Sequence, residues 1–413
     1  MKKLWVLFSL LLAVSTAQIT VAQTPANGAL LDAEFVATHS ASEISQLIAN
    51  FYEPDQVIPA QFAVDEYRIR FQSTYKDDEP IVIVAQFFVP RAEEATNFPV
   101  FIAGAGSSGI ADQCAPTLEQ PAVQNWGSYK LWMLSMATQG YITALPDYAG
   151  FNDPDRMQPY YVAEMAGRVM LDAGRAALNW SAENPDSPAQ AQPAVLLAGY
   201  SQGGQTVFAA KDIWETYAPE LPLKGIIGFA PVSNMASHMM TLPQLAPYRM
   251  VAWEDYYGTD QVDPARVFTD RWLPTLYEDV MRMCVFDAAG FFSANPAELY
   301  HPDVLEGLQN GTLDETYPTL AALLELNSPG FVPNDLPALI VQGTEDRTIP
   351  MDVHEAFVER YCAAGNWLNE QIHEGANHFH LREISYRETL DWMARTLAGD
   401  IDPNTCETRQ PAG

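Results

Sequence analysis

The run Val195-Leu-Leu-Ala-Gly199-Tyr200-Ser201-Gln202-Gly203-Gly204 constrains this chain more than any other stretch. An apolar segment leads into Gly-x-Ser-x-Gly, and the helix-forming residues 205–214 follow. A buried strand that turns straight into a helix leaves little room at the corner. Ser201 is therefore expected in a strained conformation, and a side chain at 199 or 203 would strike neighbouring backbone. Such a corner lifts the serine hydroxyl above the sheet edge. It also points the Gln202 amide and the helix N-terminus at the space where an oxyanion would form. A bare Gly-x-Ser-x-Gly is often only a glycine-rich connection. Here strand, turn and helix fall in the order a serine nucleophile requires.

Around that corner the chain alternates strand and helix patterns. Residues 64–75 and 81–89 read as an antiparallel hairpin, the first by its apolar–polar alternation. Buried strands are expected at 98–103, 141–145, 223–230, 336–342 and 369–373, and helices at 42–50, 128–140, 160–179 and 383–397. Residues 23–40 read as an irregular lead-in and 182–192 as a loop. The rhythm breaks from 231 to 335, where Met235, Met239, Met240, Tyr248, Trp253, Tyr256, Tyr257, Trp272, Phe291 and Phe292 lie among short helical pieces. Flexible Met and rigid aromatics would suit an adaptable acyl pocket, and equally an insertion's own core. The expected division is a core at 23–230 and 336–400, a cap or lid at 231–335, and a tail at 401–413. A chain of 413 residues can hold such a domain with its insertion.

Residues 1–22 have the form of a secretory signal peptide: Lys2-Lys3, an apolar run at 4–14, then small residues suiting cleavage after Ala17 or Ala22. The apolar run is too short for a membrane anchor, and no later stretch would span a bilayer. An exported protein, secreted or periplasmic, is expected. Its 52 acidic against 22 basic residues give a net charge of -30, which argues against nucleic acid or anionic lipid headgroups as partners. No sequence feature specifies an oligomeric state. The four cysteines, Cys114, Cys284, Cys362 and Cys406, favour two disulfides in an oxidising compartment, with three connectivities open. None has metal-ligand spacing, and neither a metal nor a cofactor is expected.

A serine nucleophile needs a base and an acid to orient it. The acid is expected on the loop after strand 336–342, in Gly343-Thr-Glu-Asp346-Arg-Thr-Ile-Pro350, where Asp346 is preferred to its neighbour Glu345. The chain order Ser, acid, His leaves His354, His373, His378 and His380. His354 falls in the helix straight after the acid, and His373 within the last strand. His378 follows a loop just past that strand and is the expected base, with His380 the runner-up. The Gly-rich loop 104–109 ends another buried strand at the same sheet edge. It lacks the Lys of a phosphate loop, and a backbone amide near Ser107 is expected as a second oxyanion donor beside Gln202. Asp147, at the end of strand 141–145, could orient these loops or cap a turn.

With these residues in place, the chain resembles the secretory lipases, a family of the α/β-hydrolase superfamily. Asp112-Gln-Cys114-Ala-Pro-Thr is similar to the family's Cys-Ala-Pro-Ser segment. Pro146-Asp-Tyr-Ala-Gly-Phe151 and Glu215-Thr-Tyr-Ala-Pro-Glu220 also match. At Ala105-Gly106 the chain departs from the His-Gly of many bacterial relatives. The resemblance implies an α/β-hydrolase fold: a mostly parallel sheet, an N-terminal antiparallel hairpin and an inserted cap. It implies hydrolysis of acylglycerols or simpler carboxylic esters, and disulfides Cys114–Cys284 and Cys362–Cys406. A peptidase or acyltransferase would use the same three residues. A non-catalytic binding protein would be expected to have lost one of them.

Overall fold

The computed structural model describes residues 24–120 and 125–408. The expected signal segment lies outside them. Nine strands form one sheet among these residues: β1 (Leu30–His39), β2 (Val64–Thr74), β3 (Pro80–Pro90), β4 (Thr96–Gly104), β5 (Ile142–Pro146), β6 (Ala189–Tyr200), β7 (Leu223–Phe229), β8 (Ala338–Gly343) and β9 (Leu368–His373). Their order is β1-β2-β3-β5-β4-β6-β7-β8-β9. The first three strands and the β3–β5 pair run antiparallel, and every pairing from β5 to β9 is parallel. Because the parallel strands share a direction, the loops leaving β4, β6, β8 and β9 emerge at one edge.

Helices cover both faces, so the central strands are apolar on both sides, as parallel strands must be. Val100, Ile102, Val195 and Leu197 pack with the helices Ala163–Glu183, Gln202–Tyr217 and Met351–Ala363. The alternate residues Phe101, Ala103, Leu196 and Ala198 pack against Ala41–Phe51, Tyr129–Ala137 and Tyr386–Ala398. Trp392, fully enclosed, also donates from its indole to Asn369 Oδ1 at 2.8 Å. No helix among the described residues is long and apolar enough to cross a membrane.

Three segments differ from their expected form. Residues 30–39 are a strand, not an irregular lead-in. β1 is the outer edge of the sheet, exposed along most of its length and broken in register at two places. No alternation marks it, because neither face is buried. β6 begins at Ala189, inside the expected loop 182–192; Ala189 is buried and pairs with β4, but the half-exposed or exposed residues 190–193, with Gln190, Gln192 and Pro193 among them, interrupt the apolar run. The helix expected at 160–179 starts only at Ala163, since Tyr161 has a left-handed φ of 59°.

Between β7 and β8 lies a run of short helices with a core of its own. Met235, Met239, Tyr248, Trp253, Tyr256, Trp272 and Phe292 are buried together there, with Tyr160 and Tyr161 from the main domain. Most of the Met and aromatic residues that could have lined a pocket are therefore this core.

Both disulfides have the pairing that the family resemblance implies, Cys114 with Cys284 and Cys362 with Cys406. The first joins the loop after β4 to the insertion, beside Val285 N–H donating to Ser108 O at 2.8 Å. The second fastens residues after 400 to the helix Met351–Ala363. With 170 and 44 residues between the partners, chain entropy alone would contribute about 5 and about 4 kcal/mol, less any strain. Replacing Cys362 and Cys406 by serine is expected to lower the unfolding temperature alone. Replacing Cys114 and Cys284 should lower both the unfolding temperature and ester turnover, because that link positions the loop at the sheet edge. Thermal scans and kinetics on the two double variants check this.

Candidate active site

At the end of β6 the backbone turns at Ser201 with φ 55° and ψ -109°, and the helix begins at Gln202. A non-glycine residue persists there only where its surroundings over-determine it. Here they do: Ser201 N–H donates to Phe229 O at 2.9 Å, and Ser201 O accepts from Gln205 N–H at 3.1 Å. The two motif glycines have steric causes. A Cβ on Gly199 would run into the Gly203 carbonyl, and one on Gly203 into the Gly104 carbonyl.

The loops after β8 and β9 are laced together, with Thr344 N–H donating to His373 O at 3.1 Å and Glu345 N–H to Ala376 O at 2.9 Å. They bring Asp346 and His378 to Ser201. The His378 Nε2 to Ser201 Oγ distance is 3.0 Å, and His378 Nδ1 lies 2.7 Å from Asp346 Oδ2. Asp346 Oδ1 accepts from the N–H groups of Thr348 and Ile349, both at 2.8 Å, which holds the carboxylate in place. All three side chains are buried, Ser201 the most open at 7%. Such a chain can accept the serine proton on Nε2 while the carboxylate holds Nδ1–H. The alternatives lie elsewhere. Glu345 and His380 are exposed, His354 pairs with Glu370 at 2.9 Å, and His373 is 4.0 Å from Glu388.

The loop after β4 is held by four tyrosines. Tyr148 donates to Ala105 O at 2.6 Å, and Tyr129 accepts from Gly106 N–H at 2.7 Å. Ser107 Oγ is 2.6 Å from the Tyr160 hydroxyl and 3.3 Å from that of Tyr161. The Gly106 amide is thus taken, whereas the N–H groups of Ser107 and Gln202 have no hydrogen-bond acceptor among the described residues. None of these tyrosines was found by sequence reasoning, since each reaches back across 23 to 54 residues. The doublet Tyr160-Tyr161 before a helix is the one local signal.

Ser201, Ser107 and His378 open on a cavity of about 290 Å³, walled by Trp126, Leu242, Leu245, Val285, Phe286 and Phe379. A larger cavity, about 680 Å³, lies between the helix Ala163–Glu183 and the insertion; Tyr256 and Tyr257 line it, but Ser201, Asp346, His378, Gln202 and Ser107 do not. It is the smaller one that meets the serine.

Asp147 does not reach Ser201. Its carboxylate accepts from Thr117 N–H at 2.8 Å, Thr117 Oγ1 at 2.6 Å and Asn152 Nδ2 at 2.8 Å, so it fastens two turns below the site. Burial pushes its pKa from 3.8 up to about 6, against the lowering effect of those bonds. A raised carboxylate binds its proton more tightly folded than unfolded, so its contribution to stability grows as pH falls through 6 towards 4. Relative to Asp147→Asn, the parent should gain about 2 kcal/mol of stability between pH 7 and pH 4. Denaturant titrations of both proteins across that range test it.

With the geometry in place, comparison with known proteins bears out the resemblance. The family model for secretory lipases matches residues 125–244. The chain is 24% identical over 329 residues to a secreted triacylglycerol lipase of Malassezia globosa, covering 73% of this chain and 65% of that protein. It is 24% identical over 283 residues to a trichothecene C-3 esterase of Fusarium sporotrichioides, covering 65% and 59%. The chain thus spans less than two thirds of the length of each. Its fold is that of the α/β-hydrolases, superposing on Candida antarctica lipase A in its closed state with a TM-score of 0.69, at 18% identity over 94% of this chain and 86% of that one.

Proposed function

We propose that this chain, with its α/β-hydrolase fold and its secretory-lipase match, is an exported serine carboxylic ester hydrolase acting on acylglycerols or simpler esters. The observation that carries the reading is the continuous hydrogen-bond chain from Ser201 through His378 to Asp346 at a strained strand–helix corner. Ser201 Oγ attacks the ester carbonyl as its proton passes to His378 Nε2. Asp346 holds the imidazole with Nδ1–H directed at itself and stabilises the imidazolium. The carbonyl oxygen, gaining the displaced electron pair, takes hydrogen bonds from the amides of Gln202 and Ser107, which have no other acceptor among the described residues. His378 then returns the proton to the departing alcohol. Water repeats the two steps to free the acid and restore the serine. The helix N-terminus behind Gln202 adds a favourable field.

The cavity walls support an acyl substrate. Leu242, Leu245, Val285 and Phe286 come from the insertion, and Phe286 and Phe379 stay more than half exposed. Residues 231–335 then act as the cap over the site. The two disulfides fit an oxidising compartment and so support export after removal of residues 1–22. A p-nitrophenyl ester series of rising acyl length, with emulsified triglyceride beside it, tests the function. Turnover with a preferred chain length is expected; no hydrolysis of any ester would exclude it.

A further inference from the structure

A buried charge without a counter-charge among the described residues lies against the Tyr161 ring. Arg249, on the insertion helix Ala246–Tyr257, is fully buried and forms no ion pair among the described residues. Its guanidinium donates to Met235 O at 3.2 Å and to His238 Nδ1, and its Nε meets no acceptor. It sits 5.0 Å from the centre of the Tyr161 ring. Burial lowers its pKa, but an arginine remains charged. Placing an unpaired cation in a protein interior costs several kcal/mol. His238 offers no compensation: burial first, then Arg249 and His378, hold its pKa well below the usual range, so it is neutral. Tyr161 links this charge to the site. Its hydroxyl is 3.3 Å from Ser107 Oγ. The backbone is held in the left-handed region to put it there, at φ 59°.

We propose that Arg249 is the standing counter-charge for the tetrahedral oxyanion formed at Ser201, and that Tyr161 is the positioning residue that carries its effect to the Ser107 side. This rests on the ester-hydrolase reading. As the Ser201 Oγ–carbon bond forms, the carbonyl electron pair moves onto oxygen, and negative charge appears on the side of the site that Tyr161 connects to a cation with no ion pair among the described residues. The attraction therefore arises in the transition state and not in the ground state, so it raises kcat and leaves KM alone. A guanidinium on the ring face also makes the Tyr161 hydroxyl a better donor to Ser107 Oγ. When Tyr160 and Tyr161 both donate to that oxygen, which either hydroxyl can do, the Ser107 proton is free to turn towards the cavity.

The test uses the full chain with Arg249→Met, Arg249→Lys and Tyr161→Phe, each assayed with a p-nitrophenyl ester and with an alkyl trifluoromethyl ketone, which the serine converts into a tetrahedral oxyanion. Arg249→Met should lower kcat by about 10- to 100-fold with KM within about threefold, and weaken the ketone by the same factor. Tyr161→Phe should lose about tenfold in both, and Arg249→Lys should retain more than Arg249→Met. The unfolding temperature of Arg249→Met should not fall, because it removes an unpaired buried charge. Unchanged kcat and ketone inhibition in Arg249→Met and Tyr161→Phe would overturn the proposal. So would a loss shared equally between kcat and KM and accompanied by melting at lower temperature, which marks a packing role. If Arg249→Met does not fold, Tyr161→Phe carries the same comparison. Ser201→Ala is the control: turnover surviving in it removes the hydrolase reading itself, whereas its loss beside normal Arg249→Met kinetics removes only the counter-charge.

Discussion

Ser201→Ala is expected to abolish labelling by a fluorophosphonate and to lower ester turnover by about a million-fold, the scale seen when a serine nucleophile is removed from such a site. The substitution leaves Cβ in place, so the strained corner at φ 55° and the hydrogen bonds of Ser201 N–H and O are retained. What disappears is the oxygen that, among the described residues, is hydrogen-bonded to His378 Nε2, at 3.0 Å. Residual activity should come from the Gln202 and Ser107 amides and from binding, which survive the change. Mass spectrometry of the labelled protein reads the outcome directly. A full-strength adduct on the variant would mean that another residue is the nucleophile.

Asp346→Asn should cost about ten-thousand-fold in kcat while the protein stays folded. An asparagine oxygen can still accept from Thr348 and Ile349, which hold Oδ1 at 2.8 Å. Its amide nitrogen then faces His378 Nδ1, now 2.7 Å from Asp346 Oδ2. A donor at that place forces Nδ1 to accept, leaves the ring proton on Nε2, and deprives Ser201 of a base. The exposed Glu345 provides the comparison: Glu345→Gln should change kcat by less than about twofold. If Glu345→Gln proved the more damaging, the acid would be misassigned. Unchanged melting in Asp346→Asn, followed by circular dichroism, separates the tautomer effect from unfolding.

The sequence by itself was enough for the α/β alternation, the mostly parallel sheet and the three candidates Ser201, Asp346 and His378. Each of these rests on a local rule. Gly199 and Gly203 stand where any side chain would enter neighbouring backbone. Asp346 and His378 each follow a short apolar strand, and parallel strands carry their following loops to a common edge. Buried strands announce themselves by unbroken apolar runs, which is why β4, β5, β7 and β8 were legible. β1 was not, since an edge strand exposed on both faces has no pattern to show.

Tertiary structure alone decided the rest. Which amide of the loop after β4 remains available depends on Tyr129 occupying Gly106 N–H, a contact made from a helix on the other side of an intervening loop. Asp147 proved to fasten two turns and not to meet the serine, because its partners Thr117 and Asn152 arrive from opposite directions in the chain. Most of the Met and aromatic residues of the insertion turned inward to its own core, leaving Leu242, Leu245, Val285 and the exposed Phe286 at the cavity. Arg249 carries no sequence signal at all. Composition records a charge but not whether it is solvated, and only packing shows that this one is enclosed, without an ion pair among the described residues, and set against Tyr161. Local rules select which residues can do chemistry; the long-range contacts, each closing many residues of chain, select which groups stay free to do it.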